Sequence, residues 1–221
     1  MGRTSQIVEN PAVKTLKWKN EKIDKKTKKV TQETGWYYWD KTGNEGEGEN
    51  VKVPLPITFL WLESASSVSG YSEKKESGIY SNEVLDTRSQ PMTVKVGKDT
   101  LTEGFWKDIK EEVKAEGGKY CTAVYALVMV DDKPEIWRFL MTGASNSWLS
   151  FSNNSNNRKH AIVCYDTKFE TKGSVEYEEP VFKYVSVEKE LLELADQLYT
   201  EQVEPYFNYI LEKPKVEEGS Y

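Results

Sequence analysis

The sequence predicts a mainly β chain: an antiparallel barrel, closed or partly closed, with one helix in mid-chain, extended arms and a helix near the C-terminus. Three observations predict it. Short apolar-alternating runs recur along the chain, separated by clusters of Gly, Pro, Asn and Asp, as strands and turns require. Only two long segments, 101–118 and 186–203, repeat their apolar residues at helical spacing. At 221 residues the chain is long enough to bury a core without covalent staples.

Residues 13–18 alternate Leu16 and Trp18 against Val13 and Thr15, a short strand that dissolves into a lysine-rich connection from Lys22 to Lys29. The stretch "TGWYYWDKTG" then sets Trp36, Tyr37, Tyr38 and Trp39 in a row. Side chains alternate across a strand, so two rings fall on each face. One pair enters a core and the other is left over; either Trp36 with Tyr38 or Tyr37 with Trp39 fills the second role. Residues 40–50 form an acidic Gly-rich loop, and 51–64 alternate again around Pro54 and Pro56, which favours an edge or bulged strand. Residues 64–81 are polar, with Gly70 and Gly78, and suggest a mobile arm carrying Tyr71, Lys74, Lys75 and Tyr80.

A short strand at 91–96 precedes the helix of 101–118, which has Thr102 as its cap, a stripe of Phe105, Trp106, Ile109 and Val113, and Gly117–Gly118 as its stop. Residues 119–130 and 135–143 form a hairpin across "DDKP". An Asn/Ser-rich loop follows "SWLSF", then two more strands, 161–172 and 174–185. The closing helix repeats Leu191, Leu194, Leu198 and Tyr199 on one face, and Pro205 starts a short aromatic continuation. The tail after Leu211 has no periodicity. One domain, 1–185 with an N-terminal basic arm, is thus followed by a helical segment, 186–211, and a flexible acidic tail, 212–221.

The formal net charge of −6 is unevenly spread: residues 1–40 hold nine Lys/Arg against five Asp/Glu, and residues 172–221 hold five against twelve. No apolar run approaches a membrane span, and the first residues have no secretory core, so an intracellular, non-membrane protein is expected. Two cysteines, Cys121 and Cys164, and one histidine, His160, are too few soft ligands for a four-coordinate zinc site. A Cys164–His160 pair lacks the charged surroundings that lower a thiol pKa, which makes structural thiols the expectation. There is no phosphate-cradling glycine loop, GxSxG or metalloprotease motif; no enzymatic activity, metal or cofactor is expected.

Exposed rings beside cations suit single-stranded nucleic acid: bases stack on aromatic faces without sequence readout, and lysines follow the phosphates. The candidate binding residues are Trp36, Tyr37, Tyr38 and Trp39 with Lys25, Lys26, Lys28 and Lys29; Tyr71, Lys74, Lys75 and Tyr80; Arg138 and Trp148; and Arg158 and Lys159 of the "RKH" loop. Trp61, Trp106, Phe59 and Phe139 lie on apolar stripes and read as core. Most lysine clusters are solvated surface, and this one sits among Glu21, Asp24 and Glu33.

From Thr102 to Phe182 the order of parts resembles the single-stranded DNA-binding proteins encoded by bacteriophages. The likeness lies in "EGFWKDIKEEVKAEGGKYCTAVYALVMVDDKPEIWRFLMTGASNSWLSF", with its turn of Gly143, Trp148 and Phe151, then "ETKGSVEYEEPVF" and a Leu-rich helix. The resemblance implies an OB-fold barrel whose curved face binds single-stranded DNA during replication or recombination. It also implies an acidic C-terminal tail that contacts replication or recombination proteins. The chain departs from the zinc-containing branch of that family, because it lacks the ligands. A carbohydrate-binding or virion structural β domain is the alternative, since sugar sites also use flat aromatic platforms.

Overall fold

The structure, a computed structural model, describes residues 8–40, 48–153 and 161–212. Its strands are β1 (Lys14–Lys19), β2 (Lys22–Ile23), β3 (Val30–Gln32), β4 (Gly35–Asp40), β5 (Glu49–Val53), β6 (Ile57–Ser72), β7 (Ser77–Ser81), β8 (Met92–Val96), β9 (Asp99–Gly104), β10 (Gly118–Val130), β11 (Lys133–Met141), β12 (Ala161–Lys172) and β13 (Val175–Val185). The helices are α1 (Trp106–Ala115), α2 (Ser147–Ser152), α3 (Lys189–Leu198) and α4 (Glu204–Glu212). The chain is therefore mainly β, as its alternation predicts.

The main sheet runs β5-β4-β1-β11-β10-β6-β7-β8-β9, and β12, carrying β13, pairs with the first residues of β6. Its ladders are antiparallel except for β1 on β11. The spine is β6: its start lies between β10 and β12, its end between β10 and β7. The sheet curls, because side chains at its β4 end reach its β13 end. Trp36 Nε1 donates to Cys164 Sγ at 3.4 Å, and Trp18 Nε1 donates to the Glu178 carbonyl at 2.9 Å. No ladder joins β5 to β13 among the described residues, so the sheet is open.

Inside the curl lies the main core, built on Leu16, Trp36, Phe59, Phe139, Trp148 and Ile162. Trp36 meets Trp18 and Phe139 edge-on, each at 5.2 Å between centroids, a favoured ring geometry. A second core on the outer side packs α3 and α4 over Leu60, Leu62, Tyr125, Leu127 and Ile136. A third packs α1, through Ile109 and Val113, on Val68, Ile79, Val94 and Val96.

Several expectations need correction. The polar stretch 64–81 is no arm: it completes the 16-residue β6 and forms β7. Small residues make this possible, since the Gly70 backbone passes so close to Gly117 that a Cβ there would strike its carbonyl oxygen. Residues 51–64 are not one strand, because Pro54 and Pro56 separate β5 from β6 around a cis Leu55–Pro56 bond. Thr102 does not cap α1; it pairs with Val94 as part of β9, and Phe105 precedes the helix without a side-chain cap. The lysine connection is a separate small hairpin, β2–β3. Asp24 organises its turn by accepting from the Lys26 and Thr27 amides at 2.8 and 2.7 Å. The closing helix and its aromatic continuation join through a π-helical turn at residues 199–203.

Both cysteines are free and buried. Burial first, opposed only in part by neighbouring groups, pushes each thiol from the ordinary 9.0 up to about 11. The unfolded chain ionises these thiols near their ordinary value, whereas the folded chain holds their protons longer. Their stabilising contribution is complete below about pH 9 and is lost as pH rises through about 11. Chemical denaturation at stepped alkaline pH is expected to show this decline. A C121A/C164A variant whose stability falls equally steeply over that window would remove the thiols as its cause.

Candidate nucleic-acid interface

The four aromatics of β4 divide by alternation. Trp36 is fully buried, and Tyr38 packs partly buried against the same core. Tyr37 and Trp39 point to the outer face. Tyr37 is itself buried, its ring 5.2 Å from the Lys19 ammonium and its hydroxyl donating to the Glu33 carbonyl at 2.9 Å. Trp39 alone of the four offers a ring, 53% exposed and lying on the Gly48 backbone.

Directly paired residues share a sheet face, so the ladders can be followed outward from Tyr37. Tyr37 pairs with Lys17, Lys17 with Leu140, Leu140 with Ala123 and Ala123 with Ala65. Two residues along those strands come Cys121 opposite Ser67, and two further come Lys119 opposite Ser69. Ser69 pairs with Tyr80, and Tyr80 with Lys95; Tyr71 stands opposite Gly78. One outer face therefore carries Trp39, Lys19, Lys17, Lys119, Tyr71, Tyr80 and Lys95. Small side chains, Ser67, Ser69 and Gly78, lie between them. The second core, under α3 and α4, lies on the same face and takes in Leu140, Ala123, Ala65 and Cys121 of this path, so it stands between Lys17 and the Lys119–Tyr80 group.

Tyr71 is 56% exposed and Tyr80 49%. Tyr80 is also anchored, its hydroxyl donating to the Gly97 carbonyl at 2.5 Å, which fixes the ring plane. Lys74 and Lys75 lie exposed on the turn of this β6–β7 hairpin. The ends of β1, β10 and β6 that bear Lys19, Lys119 and Tyr71 lie at one end of the sheet. The β2–β3 hairpin, with exposed Lys25, Lys26, Lys28 and Lys29, extends from that same end of β1 and β4.

Lys17 has the telling electrostatics. It is open to solvent, yet it lies low on the face: burial depresses its pKa, the Cys121 sulfur offsets part of this, and Arg138 adds to the depression. It makes no ion pair among the described residues. An exposed ammonium whose charge is disfavoured by its surroundings gains from an anion placed above it. Lys19 is depressed in the same direction, by burial and then by Lys22 and Lys17.

Besides Tyr37 and Tyr38, three of the expected contacts are lost to burial. Trp36 and Trp148 are fully enclosed and present no ring to a base. Arg138 is drawn into a buried ion pair with Glu83, its Nε 3.1 Å from Oε1. Tyr125 and Tyr206 donate to Glu83 Oε2 at 2.7 and 3.1 Å, and Asn10 Nδ2 donates to the Tyr125 hydroxyl at 2.6 Å. This knot joins the N-terminal segment, β10, β11 and α4. Arg158, Lys159 and His160 lie outside the described residues, as do residues 213–221 of the tail. Lys17, Lys19, Lys95 and Lys119 were missed by the sequence reading. The alternation of Lys17 and Lys19 with Leu16 and Trp18 was the available signal, for it sets both lysines opposite a core.

Among the described residues, no group of three or more His, Cys, Asp or Glu side chains is placed to hold a metal ion, and no helix is long and apolar enough to cross a membrane. No protein-family model, curated protein or solved structure matches the chain.

Proposed function

We propose that the protein binds single-stranded DNA with little sequence preference, without catalysing a reaction and without a cofactor. One observation carries the reading: three half-exposed rings, Trp39, Tyr71 and Tyr80, share a sheet face with lysines, one of which, Lys17, is exposed and makes no ion pair among the described residues. Rings of this kind stack on unpaired bases, and the lysines neutralise the phosphates between them. Lys25, Lys26, Lys28, Lys29, Lys74 and Lys75 extend the basic field from the same end of the sheet. The overall charge of −6 does not oppose this, since the potential a strand meets is that of the face it approaches.

An OB-like barrel, with β4, β1, β11, β10, β6 and β12 as its wall, belongs to this proposal. So do a phage origin, a role in replication or recombination, a cytoplasmic location and a tail that meets partner proteins. The resemblance in the C-terminal half supports them.

Intrinsic tryptophan fluorescence titrated with oligo-dT and with a duplex of equal length, at two salt concentrations, tests the reading. Single strands are expected to bind better than duplex, with log affinity falling linearly as log salt rises. Affinity that ignores salt would favour the carbohydrate reading instead, because a sugar platform has no phosphates to neutralise. Equal binding of duplex would end the stacking account.

A further inference from the structure

Two hairpins leave the body of the protein with opposite charge. Residues 21–30, around β2–β3, hold five lysines against two acids, Glu21 and Asp24, a net +3. Residues 165–179, around the far part of β12–β13, hold five acids against two lysines, Lys168 and Lys172, a net −3. Neither shares a ladder with a further strand of the main sheet, although Trp18 holds the root of the acidic one at the Glu178 carbonyl. The β2–β3 pair forms a sheet of its own, and β12 leaves β6 after Cys164.

Two-stranded ribbons standing alone are marginal in water, and their edges invite pairing. Each ribbon also exposes apolar side chains. Ile23 and Val30, paired across the basic hairpin, are 52% and 49% exposed; Phe169 and Val175 on the acidic one are 61% and 60% exposed. On the acidic hairpin Lys168 pairs with Glu170. Burial and then the nearby Glu170 push the Glu179 carboxyl up, and Lys168, opposite it in the ladder, offsets only part of this. No ion pair joins the two hairpins within the chain among the described residues. Their roots face each other across an open cleft of about 630 Å³, with Glu21, Glu33 and Thr34 on one side and Thr167 and Glu178 on the other.

We propose that the acidic β12–β13 hairpin is a docking surface for the basic β2–β3 hairpin of a second copy of this chain. Because both hairpins flank one cleft, two copies facing each other about a two-fold axis make the contact twice, each offering its lysines to the other's carboxylates. Phe169 and Val175 against Ile23 and Val30 add apolar contact to the charge match. In the nucleic-acid reading the same lysines meet phosphates, so single strands compete with the second copy. The dimer itself does not depend on that reading.

Sedimentation of the full chain without nucleic acid tests this, at about 0.05 M and about 0.5 M salt. A dimer is expected at low salt and a shift toward monomer at high salt. K26E/K29E and E170K/E179K, four exposed or half-exposed positions outside the cores, are each expected to weaken dimerisation by about tenfold or more. Mixing the two variants should restore a mixed dimer, since each reversed hairpin then meets a reversed partner. Unchanged melting temperatures show that the variants fold. A monomer at every salt and concentration, a dimer that both reversals leave intact, or a mixture that stays monomeric would each overturn the proposal. Since no nucleic acid is present, any of these leaves the fluorescence titration above free to succeed or fail independently.

Discussion

Replacing Trp39, Tyr71 and Tyr80 together by alanine is expected to lower affinity for oligo-dT by at least about a hundredfold while moving the melting temperature little. Stacking on one aromatic ring is worth about 1–3 kcal/mol per base, so three rings reach that factor at the lower bound. All three are roughly half exposed, and the one hydrogen bond lost among the described residues, from the Tyr80 hydroxyl to Gly97, is worth about 1 kcal/mol. Trp36→Ala is expected to do the opposite. That ring is fully buried among Trp18, Phe139 and Cys164, so its loss costs about 3–5 kcal/mol of stability and leaves the affinity of the folded fraction unchanged. Thermal melts beside fluorescence anisotropy separate the two outcomes. A triple variant that binds like the parent would sink the assignment of the outer face, whatever Trp36→Ala does.

The second large effect concerns the knot around Glu83. Arg138→Ala is expected to destabilise the fold by about 3–5 kcal/mol, because it strips the cation from a carboxylate that is only 6% exposed. Two tyrosine hydroxyls remain on Glu83, but hydrogen bonds do not neutralise its charge. Glu83→Leu combined with Arg138→Leu is expected to cost much less than the single change, since both charges then leave together and their site borders an apolar core. Urea denaturation of the single and double variants reads this directly. A double variant no more stable than Arg138→Ala would show that the knot matters for packing rather than for charge. The same comparison bears on function: if Arg138 contacts phosphate, the double variant binds oligo-dT more weakly at equal stability, and the geometry here predicts that it does not.

Much of the fold was legible in particular residues. The hairpin of 119–130 with 135–143 followed from two alternating runs and a turn between them, and β10 and β11 occupy almost those positions. The helix at 186–203 followed from its leucines, and Phe59 and Phe139 followed from their apolar stripes into the main core. The stretch 64–81 was illegible for a physical reason. A strand interior made of Ser66, Ser67, Ser69 and Gly70 carries no apolar alternation, and it is held by close backbone approach to β10. Likewise Thr102 has the chemistry of a helix cap, but the ladder to β8 takes its backbone.

Alternation along "GWYYWD" required two rings on each side, because successive side chains on a strand point oppositely. It did not say which side, since both pairs contain one Trp and one Tyr. Tertiary packing decided that. The neighbours of β4 are β1 and β5, and the curl of the sheet encloses the face bearing Trp36 and Tyr38. Tyr37 and Trp39 were left outside with Lys17 and Lys19. The same curl withdrew Trp148, while on the outer side Glu83 and the α4 tyrosine Tyr206 took Arg138; both residue types suit a binding site as well as they suit a core. Local sequence sets the periodicity of an element; which of its faces meets water is a property of the elements that fold over it.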